Sequence, residues 1–240
     1  MKLKDILSKY SLGQRIFQKI VLQEADLTEI NLSGVDFEGA DLRQSRLGKS
    51  VFCQANLRKV NLSESILWGT DLRDADLSQS MLRDVDLSGA KLIDANLTDA
   101  YLSKASLCGA NLTGAILLRA ILYEVDLRPT SERRTNLGQA NLSYADLCYA
   151  NLSAALLYQA NLSGARLCRA KLSKDPIRSP FATDLTEANL QGADLSYADL
   201  SNAILVNANL QEADLTGTNL QGADLRGTMM PDGSVYKLSI

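Results

Sequence analysis

The sequence contains no histidine. That absence removes the Ser-His-Asp and Cys-His nucleophile systems, the histidine proton shuttle and every histidine-containing metal site. Aromatic residues are scarce, at 5% of the chain with a single Trp. No apolar run approaches the roughly 20 residues of a membrane span, and the opening MKLKDILSKY carries charges where a signal peptide would have its apolar core. The expected address is the cytoplasm. The four cysteines form no CxxC pair and read as free thiols, with no zinc site. The glycine-rich nonapeptide of calcium-binding solenoids is missing, and no glycine cluster forms a phosphate-cradling loop before a helix. Neither a catalytic residue nor a metal or cofactor is expected, and the chain is expected not to be an enzyme.

What remains is 46% hydrophobic and 22% charged, spread too evenly for disorder. The net charge of -3 conceals a gradient. Residues 128–178 hold eight basic and three acidic side chains, a balance of +5, whereas residues 182–226 hold seven acidic groups against Arg226 alone, a balance of -6.

The dominant feature is a five-residue repeat. An apolar residue recurs every fifth position from Leu22 to Leu127, from Leu137 to Leu172 and from Leu185 to Met230. Of these 40 centres 37 are Leu; two residues earlier stands Ala in 25 of 40, and one residue earlier Asp or Asn in 25 of 40. A period of five fits neither the 3.6 of a helix nor the 2.0 of a flat strand. The chain must turn a corner every five residues. If four sides close one square coil, the Leu and the Ala two before it point inward, and each buried Leu contributes about 1.5–3 kcal/mol. Asp or Asn suits a position beside a corner because its short side chain bonds nearby backbone N–H groups. Coils stacked at the strand separation of about 4.8 Å would make a rod of roughly 50 Å from about ten of them.

Stretches such as ANLTGAILLRA and ADLSYADLSNA resemble the pentapeptide-repeat family over nearly all of residues 20–230. The resemblance implies an all-β fold, a right-handed quadrilateral β-helix of about ten coils. On the residues, 1–16 form an N-terminal capping helix, 17–230 the β-helix and 231–240 a C-terminal tail. Leu3, Ile6, Leu7 and Tyr10 at helical spacing, with Gly13 following, place the helix at residues 2–11 over the first coil. PDG at 231–233 signals a turn.

Two segments interrupt the repeat. RPTSERR at 128–134 keeps the count of five between Leu127 and Leu137, and reads as one side bulging outward. SKDPIRSPFAT at 173–183 separates Leu172 from Leu185 by thirteen residues and is an insertion. If the first segment takes up one side, then Trp68, Cys108, Arg128, Cys148 and Cys168 fall in one column. Cys148 and Cys168 would be stacked neighbours with side chains parallel, a poor disulfide geometry. An arginine- and aromatic-bearing face is what protein interfaces favour. The candidate partner-binding residues are Arg128, Glu132, Arg133 and Arg134 projecting from the loop, with Trp68, Cys108, Tyr149 and Arg169 along the same side. A second candidate is the apolar column Met81, Tyr101, Ile121, with Ile116, Leu118 and Tyr123 nearby.

Off-consensus stretches carry the resemblance further, because the repeat does not dictate them: DLRQSRLGKS at 41–50, ILWG at 66–69, SLCGANL at 106–112, DLRPTSERRTNLG at 126–138, RLCRA at 166–170 and MPDGS at 230–234. They resemble family members that regulate heterocyst differentiation in filamentous cyanobacteria. That implies a protein partner, the transcription regulator HetR, and relief of its inhibition by a PatS-type peptide, with no direct nucleic-acid or membrane contact and a monomeric rod. Other family members mimic DNA and inhibit or protect gyrase and topoisomerase. Such a rod needs negative charge along its length, and the +5 middle segment fits that poorly.

Overall fold

The computed structural model describes residues 3–174 and 181–237. Parallel backbone bridges join Ile16 to Asp36, Val21 to Asp41, Asp26 to Arg46 and Asn31 to Val51, a step of twenty each time. With one corner every five residues, four sides complete a coil. We number the faces I to IV, beginning with those centred on Leu22, Leu27, Leu32 and Phe37. Each side contributes isolated bridges rather than long strands, because the chain bends again before a ladder can extend.

The corners explain the period. Most are turns in which the residue after the corner donates to the central residue's carbonyl, as Ala40 N–H to Phe37 O (2.9 Å). The third turn residue has φ between 54° and 71° at the regular corners from Lys19 to Gly227, as a type II turn requires. Gly34, Gly89 and Gly109 fill some of these positions and Lys, Glu, Gln, Asp, Asn, Arg, Tyr or Ala the rest, but no β-branched residue does so among the described residues. The recurrent Asp or Asn accepts the N–H two residues on: Thr28 N–H donates to Asp26 Oδ1 (3.1 Å) and Ser33 N–H to Asn31 Oδ1 (3.0 Å).

Inside, the leucines and the small residues two before them are almost fully buried from Leu27 to Leu210. Phe17, Phe37 and Phe52 pack edge-on or tilted at 6.1 and 6.3 Å near the N-terminal end. At most places where Ser or Thr replaces the small Ala, the buried Ser80 hydroxyl being an exception that has no partner among the described residues, the hydroxyl bonds a corner carbonyl of the adjacent coil, as Ser65 to Leu42 O (2.7 Å) and Thr70 to Leu47 O (2.8 Å). The polar group is thereby satisfied without leaving the core.

One helix, α1 (Leu3–Ser11), lies against the first coil. Ile6 is fully buried, Leu3, Leu7 and Tyr10 pack beside it, and the Tyr10 hydroxyl donates to Ser33 O (2.8 Å). Residue 2, expected in this helix, lies outside the described residues. At the other end Val235 bridges Met229 antiparallel, while Leu215, Leu220 and Leu225 remain partly exposed. Residues 238–240 of the tail and residues 175–180 of the second interruption also lie outside the described residues.

The register changes twice. Asn111 bridges Asn136, a step of 25, and Leu156 bridges Asp184, a step of 28. The segment 128–134 is therefore extra chain at a corner and not a bulging side: Leu127 on face II is followed by Leu137 on face III. The preserved count of five is a coincidence of loop length. Because Asp126 bridges Asn151, Leu152 and not Leu147 stacks on Leu127, and Cys148 and Cys168 move to face I. The single column expected for Trp68, Cys108 and those two cysteines does not exist.

Both insertions leave the same corner, between faces II and III. Each re-enters through a Thr in the position of the small core residue. Thr135 Oγ1 accepts Gly109 N–H (2.8 Å) and donates to Arg128 O (2.9 Å), and Thr183 Oγ1 accepts Ala154 N–H (2.9 Å). A hydroxyl at the neck of each loop supplies the partners that the interrupted turn no longer makes.

Candidate protein-interaction surface

Face II is bordered by two corners of different chemistry. Trp68, Cys108 and Arg128 follow the central leucines of this face. Arg128 does not project. Its guanidinium folds back on Asp126 in a two-point contact (2.8 and 2.6 Å) and is half-buried. Burial raises the Asp126 pKa, but the Arg128 hydrogen bonds outweigh it and hold the carboxyl below the ordinary range. The Cys108 thiol is pushed up, chiefly by burial.

The first loop is a closed structure. Thr130 N–H donates to Arg133 O (2.8 Å), and Arg133 N–H donates to Thr130 Oγ1 (3.0 Å). Pro129 is buried, and Ser131, Glu132 and Arg133 are exposed at the tip. Gly109 lies beneath it: a Cβ there would come within 2.8 Å of Thr130 Cγ2, and its φ of 65° already disfavours one.

Arg134, expected to project with its neighbour, turns inward instead. Its guanidinium donates to Ala154 O (2.7 Å), Ala155 O (3.2 Å) and Ala182 O (2.6 Å), and stacks over the Phe181 ring at 5.2 Å. One side chain thus spans the coil that separates the two insertions and ties them together.

Between Trp68 and the loop the corner is bare. Gly69, Gly89 and Gly109 stack on three successive coils and floor a groove of about 490 Å³, continuous in lining with a second of about 700 Å³ over face III. Trp68 forms one wall, its indole standing over Gly48, where a Cβ would meet Nε1 at 2.6 Å, with Lys49 Nζ 4.7 Å from its ring. The lining holds five cations, Lys49, Arg73, Lys91, Arg133 and Arg134, and one carboxylate, Glu132. Asp71, just beneath, is shared by Arg73 (2.8 Å) and Lys91 (3.7 Å), and the Arg73 hydrogen bonds bring its pKa down to about 2. No ion pair among the described residues includes Arg133. The glycine column is the feature sequence reasoning missed. Its signal was present, as three glycines twenty residues apart at the same repeat position.

Tyr149 and Arg169 stand at the opposite border of face II, the corner with face I. The Arg169 guanidinium lies between the Tyr149 and Tyr197 rings (6.0 and 5.3 Å), and Tyr149 meets Tyr123 edge-on at 5.5 Å. The eight candidate residues therefore divide between two edges of one face. Beside Tyr149, Cys148 is disulfide-bonded to Cys168, whose Cα is 4.7 Å away. Free thiols were expected for all four; adjacent coils bring these two Cα atoms inside the disulfide range, and only Cys53 and Cys108 are free. Met81, Tyr101 and Ile121 do stack as one column on face I, with Tyr123 on the same face, but Ile116 and Leu118 belong to face IV.

Among the described residues no cluster of three or more Cys, Asp or Glu side chains could hold a metal ion, and no helix is long and apolar enough to cross a membrane.

Residues 20–58, 55–92, 90–128, 135–173 and 193–230 match the family model "Pentapeptide repeats". Among solved structures, the chain is similar to HetL, a pentapeptide repeat protein involved in heterocyst differentiation regulation, from the cyanobacterium Nostoc sp. strain PCC 7120. The two are 55% identical over 98% of this chain and 100% of HetL, with a TM-score of 0.97. Trypsin-treated QnrB1, a plasmid-mediated fluoroquinolone resistance protein, is 17% identical over 87% of this chain and 91% of its own, with a TM-score of 0.49. No curated protein sequence matches the chain.

Proposed function

Because the chain belongs to the pentapeptide-repeat family, we propose that it is a non-enzymatic, cytoplasmic protein-interaction scaffold that regulates heterocyst differentiation. It does so by binding a HetR-type transcription regulator and countering inhibition by a PatS-type peptide. The observation that carries this reading is the 55% identity to HetL across 98% of the chain. The rod acts as a monomer of about ten right-handed coils, with α1 and the 231–237 segment covering the ends of the β-helix.

Face II and its two corners make the partner surface. Trp68, Glu132 and Arg133 present contact groups, Arg128, Arg134 and Cys108 support the loop and the face beneath it, and Tyr149 and Arg169 offer a second edge. Aromatic and arginine groups dominate interface energies, and here a rigid core holds them, so little entropy is lost on docking.

The test is a binding titration of the purified protein against HetR, with and without PatS-type peptide, beside a gyrase supercoiling assay. Saturable HetR binding that displaces the peptide, with gyrase unaffected, is the expected result. Gyrase inhibition without HetR binding would replace this reading with DNA mimicry.

A further inference from the structure

The groove over Gly69, Gly89 and Gly109 has a floor without side chains, an aromatic wall and an excess of cations. Resting on the scaffold reading above, we infer that this groove is the binding site for an extended, carboxylate-bearing segment of the protein partner. Three features select that ligand. First, stacked glycines expose backbone over three coils, about 10 Å along the rod, so a peptide can approach more closely than anywhere a corner side chain stands. Second, Trp68 supplies an apolar surface along one side, 44% exposed and held in place by its contact with Gly48. Third, Arg133 is exposed without an ion-pair partner among the described residues, and Lys91 shares the Asp71 carboxylate with Arg73. An incoming Asp or Glu completes both, and a guanidinium takes a carboxylate in two-point geometry. A basic segment would face the same cations and be repelled.

The fold offers a clean way to close the groove. Nothing lies within 4 Å of a Cβ added at Gly89. Gln44, Gln54, Gln79, Gln139 and Gln159 hold the same corner conformation, with φ from 56° to 60°. Gly89→Gln therefore fills the floor without asking the backbone for anything new. Gly192→Gln, at an open corner between faces IV and I, is the matched control.

Trp68 is the only tryptophan, so its fluorescence reads the groove directly. The probe is the blocked peptide acetyl-Asp-Glu-Leu-Asp-Glu-amide, with acetyl-Lys-Lys-Leu-Lys-Lys-amide as its opposite. A saturable change with the acidic peptide is expected, weakened at least about tenfold in Gly89→Gln and in Arg133→Glu, retained in Gly192→Gln, and absent with the basic peptide. Equal response to both peptides, or unchanged acidic-peptide affinity in Gly89→Gln, overturns the inference. The same variants are carried through the HetR titration. Full HetR affinity in Gly89→Gln sinks the groove as the docking site while leaving the scaffold reading intact. No HetR binding by the parent protein sinks the scaffold reading, whatever the peptide does.

Discussion

Replacing Arg134 by Ala removes a side chain that joins the two insertions. Its guanidinium makes two short hydrogen bonds to backbone carbonyls, 2.7 Å to Ala154 O and 2.6 Å to Ala182 O, and a weaker one of 3.2 Å to Ala155 O. A hydrogen bond to a charged donor contributes about 1.5–3 kcal/mol net, and a stacked Arg on an aromatic ring about 0.5–2. Two strong bonds give about 3–6, and because the side chain is half-buried water recovers part of that, leaving about 3 kcal/mol. For a chain of this size each kcal/mol moves the midpoint by about 2–4 °C, so a drop of about 6–12 °C is expected if the rod melts as one unit. In a solenoid each coil contacts only its neighbours. The loss should therefore concentrate near the two necks, and hydrogen exchange should quicken around residues 154–156 and 182–184 before the flanking coils. Arg134→Lys keeps the charge but cannot reach three carbonyls at once and should recover only a minor share. Arg133→Glu, exposed at the loop tip, should melt like the parent. An Arg134→Ala protein with unchanged melting and unchanged exchange at both necks would refute the reasoning.

Leu107→Asp buries a carboxylate with no partner, at a cost of several kcal/mol, and should unfold or aggregate the rod; a soluble variant with a cooperative melt would contradict the four-sided core. Thiol titration of the native, unreduced protein should count two reactive cysteines, and a count of four would show that Cys148 and Cys168 are not paired. The depressed Asp71 carboxyl, 7% exposed, stabilises the folded state fully above the ordinary carboxylate pKa of about 3.9. That contribution is lost as pH falls through about 2. Asp71→Asn should lower stability near neutrality by about 2 kcal/mol and flatten the acid limb of the melting profile between about pH 4 and 2; an unchanged acid limb would remove Asp71 from that account. Gly109→Ala combines a strained φ with a clash against Thr130, and should raise protease sensitivity at 130–133 with little change in the core.

The repeat was legible because burial and spacing coincide. A Leu every five residues with a small residue two before it admits one packing, and the structure repeats it from coil to coil. The loop at 128–134 misled for the converse reason: its length keeps the phase of the repeat, so nothing in the spacing tells extra chain from a missing side. That ambiguity displaced Cys148, Tyr149 and Arg169 by one face. The inward turn of Arg134 was equally hidden. Its acceptors are carbonyls of Ala154, Ala155 and Ala182, and a backbone oxygen leaves no mark on a sequence. The distinction between Arg133 and Arg134, adjacent and chemically identical, exists only in three dimensions.

The two necks have a consequence for engineering. Insertions of five and eight residues beyond the twenty-residue step enter at one corner, and every later coil resumes the frame it would otherwise have had. The threonine at each exit supplies hydrogen bonds at the neck itself, so the inserted chain leaves the packing of the coils on either side intact. A corner preceded by a core Leu and followed by Thr is thus a graft point. Placing such a neck at successive coils would let unrelated peptides be mounted along one edge at spacings set by the coil height, about 4.8 Å per step.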